Sequence, residues 1–234
     1  MRIVKYILKK LNLKCPSGRK LNSKGDLYPT MHAHEELQDL WGEDLISDAA
    51  LFKWYHDRYS TSKHLLTLYS YVRGTGAKNV IEIGFGRSSF VLARATAENG
   101  GKFTTVDKRN FDYLFSDQEK MSSNLLVGYS DVLWADLKMA GKKIDFAFLD
   151  YFSDSICDAD FCRKEIGECV QLLSEGGAFA IHDTNEKDYP ISEIVQEIAE
   201  RFQCEVLTFP YNYGLSIFRK KHQGMIHDLW QKKS

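Results

Sequence analysis

The sequence predicts a doubly wound α/β domain built on a seven-stranded, mostly parallel sheet. Three features point there. Short apolar strands alternate with helices from residue 78 onward, an apolar strand runs straight into a glycine turn and a helix, and the chain closes on two strands too near in sequence for a helical crossover. The strands read from the sequence are 79–83 (NVIEI), 102–106 (KFTTV), 125–128 (LLVG), 144–149 (IDFAFL), 177–182 (GAFAIH), 204–209 (CEVLTF) and 214–219 (GLSIFR). Helical segments fall near 88–98, 116–122, 131–140, 157–173 and 191–202. Strands alternating with helices imply a parallel sheet. Only Pro210–Tyr213 joins the last two strands, so that pair is expected to be antiparallel.

Ahead of the sheet lies a helical extension. Ile3, Val4, Ile7, Leu8 and Leu11 recur at helical spacing among Lys5, Lys9 and Lys10, a stripe that suits packing on the domain or on a second subunit. A basic amphipathic helix also suits an anionic membrane surface. Residues 15–30, with Pro16, Gly18, Gly25 and Pro29, read as a linker, and helices are expected near 33–41, 48–58 and 62–73. Ser60 or Thr61 is placed to cap the last of these, and Gly74 and Gly76 to end it. The organisation expected is therefore 1–74 as basic helix, linker and helical cap, 75–220 as the sheet domain, and 221–234 as a basic tail.

Composition narrows the function. The 234 residues carry a net charge of −1, with 44% hydrophobic and 27% charged residues, which suits an ordinary globular chain. Residues 1–25 hold eight Lys/Arg and no acid, and 219–234 hold five against Asp228, leaving 26–218 at −13. An acidic body argues against a nucleic-acid groove across the domain. No apolar run approaches the roughly 20 residues of a membrane span, and the start lacks the pattern of a secretory signal. Five cysteines without a small-domain framework suggest free thiols, and Cys157, Cys162 and Cys169 are expected on one helix, so a cytoplasmic setting is expected. His32 and His34, two apart in a helical pattern, do not form a metal site.

Chemistry concentrates at the first turn, Glu82-Ile83-Gly84-Phe85-Gly86-Arg87-Ser88-Ser89. Glycine lets a backbone approach a ligand, and a helix starting at Ser88 or Ser89 offers free N–H groups. Asp107, 21 residues after Gly86, ends the next strand, where a carboxylate can accept both hydrogen bonds of a ribose diol. The pair suits a nucleotide. A dinucleotide fingerprint would need Gly at position 89, where Ser89 stands, and the Glu82 carboxylate would repel a pyrophosphate. Both weigh against an NAD(P)-dependent oxidoreductase. A non-catalytic binding or scaffold protein of the same fold is the third alternative.

The runs VIEIGFGRSS, then Asp107, then IDFAFLDY, then LLSEGGAFAIHDT, together with the closing FPYNYGLSIFRK, resemble the motif series of class I S-adenosylmethionine-dependent methyltransferases, over roughly two-thirds of the chain. Among these the segment from GG to HDT is most similar to small O-methyltransferases. The resemblance implies a Rossmann-like methyltransferase fold with S-adenosylmethionine as cofactor. It implies that Glu82, Gly84, Phe85 and Gly86 line the cofactor's methionine end, Asp107 its ribose, and Ser130 and Asp131 its adenine, with Ser88 and Asp150 also among the cofactor-binding residues. It further implies that Asp150, His182 and Asp183 stand at the reaction centre.

Strand geometry supports that centre independently, because ligands collect outside the carboxyl ends of parallel strands. A hydroxyl acceptor must lose a proton, which Asp183 or His182 can take. Alternatively Asp150 and Asp183 hold a divalent cation such as Mg²⁺ that acidifies the hydroxyl. Catechol-type relatives end this strand with Asp-Asn, and here it reads Asp183-Thr184. The partner expected is a small-molecule acceptor such as a sugar, phenol or natural product, with a homodimer through the amphipathic start as a further expectation.

Overall fold

The computed structural model describes residues 60–115, 117–152 and 158–220. The amphipathic start, the linker, the helices expected at 33–41 and 48–58, Cys157 and the basic tail lie outside the described residues. The described chain opens with a 3-10 turn, Ser60–His64, followed by α1, Leu65–Thr75. The single helix expected over 62–73 is thus two pieces. Neither Ser60 nor Thr61 caps α1, because His64 stands at its N-cap position without a side-chain cap bond. Gly76 ends α1 in the left-handed region at φ 67°, where glycine carries no Cβ penalty.

The sheet domain then runs β1 Asn79–Ile83, α2 Arg87–Glu98, β2 Lys102–Asp107, a 3-10 turn Asp112–Leu114, α3 Asp117–Ser122, β3 Ser123–Val127 and α4 Ser130–Met139. It continues with β4 Ile144–Leu149, α5 Ala159–Leu172, β5 Leu173–His182, α6 Pro190–Arg201, β6 Cys204–Phe209 and β7 Leu215–Lys220. Seven strands form one sheet in the order β3-β2-β1-β4-β5-β7-β6. The first five pair in parallel, and β7 runs antiparallel to both β5 and β6. The expected fold class is the one observed.

Both faces are covered, as the near-continuous apolar strands require. Val80, Phe103, Phe146, Phe148, Ala178 and Ala180 pack with Leu65, Leu68 and Val72 of α1 and Phe90 to Ala93 of α2. Their neighbours Ile81, Ala147, Leu149, Phe179 and Ile181 pack against α4, α5 and α6 through Trp134, Ile166, Cys169, Ile191 and Ile194. Successive strand residues alternate faces, so two cores share one sheet. No described helix is long and apolar enough to cross a membrane.

The strand order reverses between β1 and β4, where the chain leaves β1 for β2 on one side and later returns to add β4 on the other. Open α/β sheets bind ligands at such a switch point. Gly84 and Asp150 follow those two strands and meet there: Asp150 N–H donates to Ile83 O at 3.0 Å, and Gly84 N–H to Val106 O at 2.9 Å.

Candidate active site

The glycine turn is built around a buried carboxylate. Glu82 is fully buried on β1 and accepts from Ser88 Oγ at 2.6 Å, Thr105 Oγ1 at 2.8 Å and Ser89 Oγ. Burial pushes its pKa up to about 8, against the pull of the three hydroxyls. The carboxylate thus ties the first turn of α2 to β1 and β2, and Ser88 faces inward to it. Gly86 N–H donates to Ser89 Oγ at 3.0 Å, which fixes where α2 begins.

Gly84 adopts φ 98°, and a Cβ there would run into the Asp150 carbonyl oxygen. Its glycine requirement comes from the close passage of β1 and β4. Gly86 is different: a Cβ would meet only Ser88 Oγ, at 3.8 Å, so the backbone there has open space beside it. A ligand can approach at Gly86 and at the N–H groups of the first turn of α2.

Asp107 has a second task besides the one expected of it. Its Oδ2 accepts from Phe85 N–H at 3.0 Å and its Oδ1 from Arg109 N–H at 2.9 Å. The carboxylate therefore pins the glycine turn to the end of β2, with a lone pair on each oxygen left over for a diol. Phe85 stacks on Phe111 with ring centroids 4.8 Å apart and 17° between planes, and meets Phe90 and Phe115 edge-on. One strand further out, Ser130 is buried at the start of α4, and Asp131 is exposed and accepts from Val132 N–H at 2.8 Å. The structure thus brings Gly84, Phe85, Gly86, Asp107, Ser130 and Asp131 to adjoining carboxyl ends of β1, β2 and β3.

The residues expected at a reaction centre, Asp150, His182 and Asp183, gather at the ends of β4 and β5. His182 Nδ1 lies 3.1 Å from Asp150 Oδ1 and 3.0 Å from Asp183 Oδ1, while Nε2 lies 3.0 Å from Asn212 O. Every neighbour is an acceptor. Burial alone lowers the pKa of such a ring; the Asp150 charge and hydrogen bonds to Asp150 and Asp183 outweigh it and raise the pKa to about 10. Asp183 sits at φ 63°, a left-handed conformation uncommon outside glycine. Asp150 is the more open carboxylate, its side chain 17% exposed against 8% for Asp183.

The same three groups offer ligand atoms within 4.8 Å of one another. Only if Nδ1 gives up its proton, with Nε2–H kept on the Asn212 carbonyl, could this set of one imidazole and two carboxylates hold a divalent cation. Thr184, the residue after Asp183, is buried and accepts from Ser216 Oγ at 2.8 Å.

One residue of this cluster escapes the sequence. His64, ahead of the sheet, is buried, donates from Nε2 to Tyr211 O at 2.7 Å and meets the His182 ring edge-on at 5.6 Å. Burial and then the neighbouring His182 lower its pKa to about 4. A histidine at the end of a short 3-10 turn carries no local signal of this contact, which spans 147 residues.

Residues 81–184 match a family model described as a methyltransferase domain. No curated protein gives a significant match to the chain. Among solved structures, the chain is similar to an O-methyltransferase from Bacillus cereus in complex with SAH, at 16% identity and TM-score 0.55, covering 84% of this chain and 94% of that one. It is also similar to a methyltransferase from Geobacter sulfurreducens, at 14% identity and TM-score 0.53, covering 93% and 96%. Identities this low speak to the shared fold. Together with the matched methyltransferase domain over residues 81–184, they show that the chain shares the fold of these methyltransferases.

Proposed function

We propose that this chain is an S-adenosylmethionine-dependent methyltransferase that acts on a hydroxyl oxygen of a small acceptor, with Asp150, His182 and Asp183 managing the hydroxyl proton. The observation that carries the reading is the placement of these three groups at the carboxyl ends of β4 and β5, beside the glycine turn across the switch point. S-adenosylmethionine supplies an electrophilic methyl on a sulfonium. Gly86, the first turn of α2, Asp107, Ser130 and Asp131 are the residues suited to hold it.

A hydroxyl oxygen becomes a good nucleophile only as its proton leaves. Asp150, the more open carboxylate, accepts that proton. His182 cannot do so while charged; it fixes both carboxylates and balances their charge, and the Asn212 carbonyl holds its ring in orientation. Asp183, held closer to the interior, completes the pair around the imidazole. In-line positioning of the acceptor is then the main remaining demand.

The triad's ligand geometry supports a second reading, in which Asp150, His182 Nδ1 and Asp183 hold a divalent cation that acidifies the hydroxyl.

Two measurements test these readings. Calorimetric titration is expected to show micromolar binding of S-adenosylhomocysteine and none of NADH, with binding lost in Asp107→Ala. Transfer of labelled methyl from S-adenosylmethionine to a panel of phenols and sugars is expected to fall at least 100-fold in Asp150→Ala and Asp183→Ala. Turnover that survives EDTA removes the metal reading; turnover that EDTA abolishes and Mg²⁺ restores removes the proton-only one. Full turnover in both Ala variants would end the assignment of this site.

A further inference from the structure

The Ser60–His64 turn, ahead of the sheet, reaches toward both halves of the site. Ser62 is buried and accepts from Arg87 Nη1 at 2.6 Å. Arg87 is the first residue of α2 and follows Gly86 of the glycine turn. Two residues after Ser62, His64 is buried and donates from Nε2 to Tyr211 O at 2.7 Å. His182 Nε2 donates to the next carbonyl, Asn212 O, at 3.0 Å. The two imidazoles meet edge-on, with ring centroids 5.6 Å apart and 69° between planes. One short turn therefore touches both the start of α2 and the imidazole that lies between Asp150 and Asp183.

His182 needs such a neighbour. Its hydrogen bonds leave from the two ring nitrogens, toward Asp150 and Asp183 at one end and Asn212 O at the other. They fix the ends of the ring and leave it able to rock about the line joining the nitrogens; a second ring packed against it opposes that motion. The Asn212 carbonyl needs holding as well. Asn212 and Tyr213 take φ of 44° and 66°, conformations that persist outside glycine only where the surroundings fix them. Tyr211 O belongs to the preceding peptide, so the bond from His64 aims the carbonyl that His182 uses. The Nε2–H of His64 is committed to Tyr211 O, and the residue acts through its neighbours.

We propose that His64 is a positioning residue for the reaction centre, holding the His182 imidazole in one orientation between Asp150 and Asp183. Ser62, through Arg87, ties His64 to the glycine turn, so the Ser60–His64 turn keeps the cofactor half and the reaction half in register. This rests on the methyl-transfer reading above.

The test needs no acceptor. The full chain is labelled with ¹³C-histidine, and the Cε1–H resonances of His64 and His182 are assigned by their loss in His64→Gln and His182→Gln. Wild type should give one sharp His182 resonance that moves when S-adenosylhomocysteine saturates the cofactor half. In His64→Ala the resonance should broaden or split. His64→Gln, which keeps a donor for Tyr211 O, should narrow it part of the way. In Ser62→Ala the movement caused by S-adenosylhomocysteine should shrink at least threefold, with affinity by calorimetry within threefold of wild type. A merely structural role would lower the thermal midpoint and leave the His182 resonance single and its response intact. A single sharp His182 resonance in folded His64→Ala, or an undiminished response in Ser62→Ala, overturns the proposal and leaves the methyl-transfer reading standing. Should His64→Ala not fold, His64→Gln and Ser62→Ala decide by the same two readouts. Failure of the wild type to bind S-adenosylhomocysteine overturns the methyl-transfer reading and the proposal with it.

Discussion

Gly84 shows how little room a residue has at the switch point. Its φ of 98° is strained for any L side chain, and a Cβ there meets the Asp150 backbone, which has no freedom to withdraw because Asp150 N–H is bonded to Ile83 O. Strain and overlap together make Gly84→Ala cost on the order of 3 kcal/mol, read as a lowered urea midpoint at unchanged slope. Gly86→Ala, with space for the methyl, should leave the midpoint within about 0.5–1 kcal/mol, the ordinary cost of a compatible change, and weaken S-adenosylhomocysteine instead. The reverse pattern would mean that the two glycines have exchanged roles. His64 gives a pH signature. Its folded pKa of about 4 lies below the ordinary histidine value of 6.5, so between those values the unfolded chain binds more protons. The stability it contributes is complete above pH 6.5 and falls away as pH drops toward 4. Facing it are His182, Asp150 and the Tyr211 and Asn212 carbonyls. His64→Gln, which keeps a donor for Tyr211 O, should therefore lose less midpoint than wild type between pH 7 and 4.5. Parallel curves would show that His64 is not neutral in the fold.

At the scale of elements, burial made some of the bounds legible. The bounds of β1, β4 and β6 match their expected ranges, the first two because buried apolar runs between turn signals leave little choice. β3 is displaced, running Ser123–Val127 in place of 125–128, because it is a mostly exposed edge strand that α3 enters without a turn residue. The antiparallel hairpin was fixed by loop length alone, since four residues cannot cross over. Asp150, His182 and Asp183 were legible because parallel strands end on one edge. The clamp between His64 and the hairpin was not, because it joins segments with no shared period. Glu165 is a second long-range tie of this kind. It is buried on α5 and accepts from Trp134 Nε1 of α4 at 3.0 Å and from Tyr151 OH at 2.7 Å, just beyond β4. Truncation would orphan a buried indole N–H, so Glu165→Ala should cost roughly 2–4 kcal/mol and Glu165→Gln less than half of that. Near-UV circular dichroism of Trp134 reports the loosened packing directly. Equal losses in the two variants would assign the cost to cavity volume instead of hydrogen bonding.

Across the whole molecule, one sheet carries two cores and two half-sites, and the division between them can be measured. The proposed cofactor side would draw on β1, β2 and β3 through Gly86, Asp107 and Ser130; the proposed reaction side would draw on β4, β5 and the hairpin through Asp150, His182 and Asp183. A ligand that binds only the folded state stabilises it by mass action, by about 2.7 kcal/mol at a hundredfold excess over Kd. For a domain of this size each kcal/mol moves the melting midpoint by roughly 2–4 °C, so S-adenosylhomocysteine should raise Tm by roughly 5–10 °C. Asp107→Ala should abolish that rise, both by removing the diol acceptor and by freeing the turn that its oxygens pin. Asp183→Ala should lower the starting Tm, since it leaves His182 with one carboxylate in a buried site, yet keep the ligand-induced rise. Loss of the rise in both variants would mean that the two sides are a single coupled unit. A rise that survives in Asp107→Ala would place the cofactor elsewhere on the sheet edge.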